Sequence, residues 1–169
     1  MSSVSSLKEL LVEELQDLHS AESQLIKALP KMADAASNPT LKKGFLDHLE
    51  QTKVHAERLE RALEILGEKA GGKTCQAMKG LVKEGAEAID EDAPDSIRDA
   101  NLIGAAQRVE HYEMAGYGTS RAFAQALGES QIVGLLTKTY DEEVATDKKL
   151  TAVSKKVNAA ALALVGAES

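Results

Sequence analysis

The order in which this chain interrupts its helical periodicity constrains its fold more than any other feature. Four long stretches repeat aliphatic residues at the 3.6-residue period, and the breaks between them run short, long, short. The first predicted helix covers about Ser6 to Ala36, with Leu7, Leu11, Leu15, Leu18, Leu25 and Leu29 in register; Pro30 lies inside it and should kink it or remove one backbone bond. Ser37-Asn38-Pro39 offers an N-cap and a proline at the first helical position, so a second helix runs from there to about Leu66, where Gly67 ends it. A third runs from about Asp95 to Leu127 and stops at Gly128. A fourth runs from about Ser130 to Val157, with an Ala-rich tail that frays or extends it. The short turns make two antiparallel hairpins. Between the hairpins, Glu68 to Ala93 carries a shorter helix, about Thr74 to Ile89. A connection of that length can return along the roughly 40 Å of the second helix, at about 1.5 Å per residue, which makes the second and third helices parallel. The prediction is a single all-α domain over residues 1–169: a four-helix bundle with one crossover carrying a fifth, shorter helix.

Composition bounds the rest. Aromatics make up 3% and Trp is absent, so Leu and Ala must fill the core. The net charge of −7 argues against nucleic acid or an anionic membrane as partner. No apolar run reaches the roughly 18 residues of a spanning helix, and the N-terminus has no secretory pattern. The one cysteine, Cys75, cannot form an internal disulfide, and a reducing cytoplasm is the expected setting.

Four side chains carry the chemistry. Glu22 and His55 are 33 positions apart, as are Glu110 and Glu143, and the pairs are offset by 88. Glu22 stands between Leu18 and Leu25 at helical spacing, on the core face. Glu110 follows Ala106 by four, and Glu113 lies one turn further on. Glu143 is seven from both Leu136 and Leu150, with Asp147 on the next turn. His55 sits at the edge of its stripe, on one seam with His48 and Thr52. Burying a carboxylate without a partner costs several kcal/mol, about the scale of a whole domain's net stability. Iron and manganese take carboxylate oxygen and imidazole nitrogen, and two metals about 3.5–4 Å apart need shared carboxylates. The expected ligand set is therefore Glu22, His55, Glu110, Glu113, Glu143 and Asp147, converging in one layer at mid-bundle. The rival is a salt-bridge network in which Arg58, three after His55, pairs with Glu143 or Asp147 in place of a metal.

Other residues read more simply. His19 and His111 lie off the stripes, and Cys75 reads as a small buried hydrophobe in the connecting helix. Tyr112, Tyr117 and Tyr140 read as packing, with a hydrogen bond to a ligand open for Tyr117 or Tyr140. Gly116 and Gly118 call for close helix contact or a π-bulge. Phosphate loops, zinc-type Cys/His spacing and Ser-His-Asp groupings are missing from the sequence.

The strings Asp17-Leu18-His19-Ser20-Ala21-Glu22, His48-Leu49-Glu50-Gln51-Thr52, Ala105 through Glu113 and Asp141 through Asp147 resemble those of the YciF-like bacterial stress proteins of the ferritin-like superfamily, over nearly the whole chain. The resemblance implies a ferritin-like bundle, a dinuclear metal motif, a homodimer and a link to stress responses. Glu110-x-x-Glu113 followed at 33 by Glu143 is also similar to rubrerythrins, which handle peroxide at a di-iron centre. The expected cofactor is dinuclear iron or manganese. Where the ferritin-like pattern has Glu-x-x-His on the second and fourth helices, this chain has His55-x-x-Arg58 and Glu143-x-x-Thr146, so two imidazoles are missing or replaced. That departure keeps a second function open: a helical structural or interaction protein with a degenerate, salt-bridged site.

Overall fold

Helix boundaries follow the capping chemistry. In a computed structural model, which describes residues 4–166, α1 spans Leu7–Ala35 and begins where Ser6 Oγ accepts from the Glu9 backbone N–H at 3.2 Å. Glu9 reaches back to accept from the backbone N–H and the hydroxyl of Ser5, one residue before the N-cap. Pro30 does not end this helix, which continues for another turn beyond it. α2 spans Pro39–Ile65, capped by Asn38, whose Oδ1 accepts from the N–H groups of Thr40 and Leu41. α3 spans Gln76–Asp90, α4 spans Asp95–Ala126 and α5 spans Ser130–Gly166. Positive φ at Gly67 and Gly128, +80° and +75°, turns the chain out of α2 and α4. The Ala-rich tail extends α5 well past Val157, since alanine has the strongest helix propensity.

Cross-helix contacts fix the directions. His48 meets Thr146 while Arg58 meets Thr139, so α2 and α5 run antiparallel. The buried carboxylate of Asp99 accepts from the backbone N–H groups of Ser37 and Asn38, while Gly116 lies against Leu18, so α1 and α4 are antiparallel as well. Because α1 and α2 also form a hairpin, α2 and α4 point the same way. The crossover expected from the sequence is therefore present, with α3 packed on α1 and α4.

The interior divides in two. One apolar cluster joins Leu11, Leu15, Leu18, Leu59, Leu63, Ile132 and Leu136. Another joins Leu25, Leu29, Met32, Leu41, Phe45, Leu102 and Leu150. Between these clusters every long helix turns polar, buried side chains inward: Glu22; His48, Thr52 and His55; Glu110 and Glu113; and Glu143. Among the described residues, no helix is long and apolar enough to cross a membrane.

Candidate metal centre

Six titratable side chains meet in that middle layer, all at most 3% exposed. They form two groups of potential ligand atoms, each with its atoms within 4.8 Å of one another: His48, Glu110, Glu113 and Glu143 in one, Glu22, His55 and Glu143 in the other. Glu143 belongs to both. Nε2 of His48 stands 3.2 Å from Oε1 of Glu110 and 3.7 Å from Oε2 of Glu143. Nδ1 of His55 stands 2.8 Å from Oε1 of Glu143 and 3.5 Å from Oε1 of Glu22.

These contacts are close but misaligned for hydrogen bonding. Eight buried atoms of the layer have no hydrogen-bond partner: Oε2 of Glu22, Nε2 of His48, Nδ1 of His55, Oε2 of Glu110, and both oxygens of Glu113 and Glu143. Roughly 90% or more of buried polar groups in proteins are satisfied, so eight orphans in one layer point to groups shaped for something other than each other. The donor set is carboxylate oxygen and imidazole nitrogen, which suits iron or manganese. Fully deprotonated as ligands, the four carboxylates and two neutral imidazoles would carry −4, the charge that two divalent cations would neutralise.

Burial and mutual charge pull the ionisation of these groups in opposite directions. Burial pushes the Glu110 and Glu113 carboxyls well above the usual range, helped by Glu143 beside Glu110 and Glu22 beside Glu113. Burial raises Glu22 too, and His55 moderates it. Burial also opposes ionisation of Glu143, but His55 and His48 outweigh it and hold that carboxyl below its ordinary value. Burial lowers His48. It would lower His55 as well, but Glu143 and Glu22 raise that imidazole to about 10.

An outer set of contacts orients the inner one. Nε2 of His55 faces Oε2 of Glu142 at 2.8 Å, and Arg58 clamps Glu142 with Nη1 at 2.6 Å and Nη2 at 3.1 Å. Nη1 of Arg58 also donates to Thr139 Oγ1. Tyr117, fully buried, donates its hydroxyl to Glu22. Thr146 donates to the Glu142 carbonyl and lies 3.4 Å from Nδ1 of His48. Gly116 lets α1 approach: a Cβ there would sit 2.7 Å from Leu18 Cδ2. The close-contact reading of Gly116 is therefore the one the structure takes, in an uninterrupted α-helix.

The sequence-predicted residues divide accordingly. Glu22, His55, Glu110, Glu113 and Glu143 come together. Asp147 does not join them: its carboxylate turns outward to Nε2 of His111 at 3.3 Å and to the Gln107 amide at 3.1 Å. Arg58 pairs with neither Glu143 nor Asp147, because its fork is held by Glu142 outside the layer. His48 is the residue that sequence reasoning left out. The signal was its spacing of seven before His55, two turns along one face. The count of two imidazoles is met from α2 alone, and Thr146 leaves room for the second. Tyr117 holds Glu22 rather than merely packing, and Cys75 caps α3 instead of lying within it, its Sγ 2.9 Å from the Tyr112 hydroxyl.

The architecture and the layer define a class: crossover helical bundles with a buried carboxylate–imidazole cluster at mid-height. Within that class the chain belongs to the DUF892 family, described as a domain of unknown function, which it matches over residues 6–163. It is 43% identical to protein YciF of Escherichia coli K12 over 147 residues, 86% of this chain and 89% of that protein. The crystal structure of YciF, a stress protein, superposes with a TM-score of 0.89 at 41% identity, covering 91% of this chain and 98% of that one. YcfI of Rhodopseudomonas palustris is similar at 42% identity and a TM-score of 0.85, over 88% and 95% of the chains. At 18% identity, a two-domain protein of Anabaena variabilis with a ferritin-like domain shares the fold alone, with a TM-score of 0.62 over 92% of this chain and 39% of that one.

Proposed function

We propose that this chain is a stress-associated protein that holds a dinuclear iron or manganese centre and handles iron or peroxide. The observation that carries the reading is the set of eight partnerless atoms in one buried layer. His48, Glu110, Glu113 and Glu143 would hold one metal, and Glu22, His55 and Glu143 the other, Glu143 being common to both groups. Iron there would supply redox chemistry toward oxygen or peroxide. The chain's own residues prepare the ligands. Glu142, clamped by Arg58, accepts the Nε2 proton of His55 and leaves Nδ1 facing the centre. Tyr117 fixes one oxygen of Glu22 and leaves the other free. The link to stress rests on the likeness to YciF. The homodimer expected from the family resemblance belongs to the same proposal, and sedimentation of the full chain tests it.

The rival reading neutralises the layer without metal. Arg58 does not do so, since it is engaged with Glu142, so the rival rests on a protonated His55 beside Glu143 and Glu22 and on protonated Glu110 and Glu113. Elemental analysis of the purified protein, with an absorption spectrum after aerobic Fe(II) addition, tests the proposal. Two metals per chain and an oxo-bridged ferric absorption support it; metal below one per chain with no new absorption overturns it.

A further inference from the structure

A cavity of about 320 Å³ opens between α2 and α5 and ends on the metal-site layer. Its wall changes character along its length. Toward the α1–α2 turn it is lined by Leu29, Met32, Leu41, Phe45 and Val153, on successive turns away from the layer. Its inner end is formed by His48 and Glu110, both almost fully buried, each with a partnerless polar atom. Lys43 and Lys149 stand at its lining beside Asp47, which pairs with Lys43. The volume lies at the small end of the ~300–1,000 Å³ typical of small-molecule sites, which are mostly apolar with a few convergent polar groups. An apolar body satisfies the aliphatic wall. In the metal-free chain a polar end suits His48 and Glu110, because an alkyl group against them leaves their free atoms unpaired.

We propose that this cavity is a binding site for a medium-chain aliphatic molecule with one terminal oxygen function, tail toward the α1–α2 turn and oxygen toward His48 and Glu110. The inward oxygen end makes the cavity the approach to the first metal group, and in that respect the proposal rests on the metal reading. The binding itself requires no metal.

Metal-free protein with methyl-labelled methionine is titrated with 1-octanol, with octanoate and with acetate. The Met32 methyl resonance reports, and Met78, buried outside the cavity, serves as control. The expected result is saturable movement of Met32 alone with 1-octanol or octanoate, at least tenfold tighter than with acetate. The ratio of the two eight-carbon ligands distinguishes a neutral from an anionic end. Contacts between the ligand's C1 protons and the His48 ring, and none from its terminal methyl, fix the orientation. Ala106→Leu fills the cavity from within and Val153→Trp crowds it from α5; each is expected to weaken binding at least tenfold with unchanged helicity. If neither eight-carbon ligand binds better than acetate, or if both folded variants bind as the parent does, the proposal is overturned. It is also overturned if Val153→Trp splits a dimer while the parent binds no ligand, since the opening is then a subunit contact. Loss of metal binding alone, with octanol binding retained, overturns the metal reading and leaves the cavity assignment standing.

Discussion

Nε2 of His55 lies 2.8 Å from Oε2 of Glu142, and that carboxylate is itself held in the fork of Arg58. The relationship sets which nitrogen of His55 faces the centre. Arg58 also holds Glu142 below its ordinary carboxylate range, with His55 adding to the effect, so the acceptor stays charged. A residue read from sequence as a possible substitute for metal is thereby held outside the layer, where it supports the contact between Glu142 and His55.

On the proposed metal reading, removing that support without touching a ligand should weaken metal binding. Glu142→Gln is expected to lower Mn(II) affinity about 10–100-fold, the range for outer-shell partners of metal-bound histidine. Competition titration checks it, with the helical spectrum unchanged. Affinity equal to the parent's would mean that His55 is oriented by packing alone.

Sharing of Glu143 predicts a stoichiometric asymmetry. Glu143→Ala should abolish tight binding at both groups, whereas Glu22→Ala should leave about one metal per chain. Equilibrium dialysis with Mn(II) gives the counts; equal losses in the two variants contradict a shared ligand.

The pH dependence has a defined sign. Glu110 and Glu113 hold protons in the folded, metal-free chain that the unfolded chain releases, so stability falls as pH rises above the ordinary value of 4.5. His55 acts the same way: its contribution is full below 6.5 and is lost as pH rises through about 10. His48, lowered by burial, opposes this by costing stability as pH falls below 6.5. Metal needs deprotonated ligands, so its stabilisation grows with pH. The gap in Tm between Mn(II)-loaded and metal-free protein should widen from about pH 6 to 8.5. A constant gap would show that the buried carboxyls do not titrate against metal.

Two glycines should respond in opposite directions. Gly116→Ala places a Cβ at 2.7 Å from Leu18 Cδ2 and should cost about 1–3 kcal/mol by overpacking. Gly44→Ala meets nothing within 4 Å on an exposed turn of α2 and should stabilise by about 0.5–1 kcal/mol. Denaturant midpoints decide both.

The fold was legible because its determinants are local. Ser6, Asn38, Gly67 and Gly128 mark helix ends by their own chemistry, and the long connection after Gly67 dictates the parallel second hairpin. Most of the layer was legible for a similar reason, since Glu22, Glu110 and Glu143 interrupt otherwise aliphatic stripes. The remainder depends on rotation about helix axes and on long side chains. Asp147 follows Glu143 by four residues, but that position has drifted to the rim, where His111 and Gln107 wait for it. His48 stood on one seam with Thr52 and His55 in the sequence, but that it reaches Glu110 and Glu143 depends on the space left beside Thr146 on α5, which one helix's pattern does not contain. The pairing of Arg58 with Glu142 rather than Glu143 turns on one residue of register between α2 and α5, which no single-helix pattern contains.

The central claim, a buried layer built for two divalent cations, is tested most directly by titrating the metal-free wild-type chain anaerobically with Fe(II) while following its melting temperature. The account predicts saturation at two metals per chain and a Tm that climbs until the second equivalent is bound, because binding to the folded state stabilises it. Saturation below one equivalent, with a Tm that does not move, would contradict it.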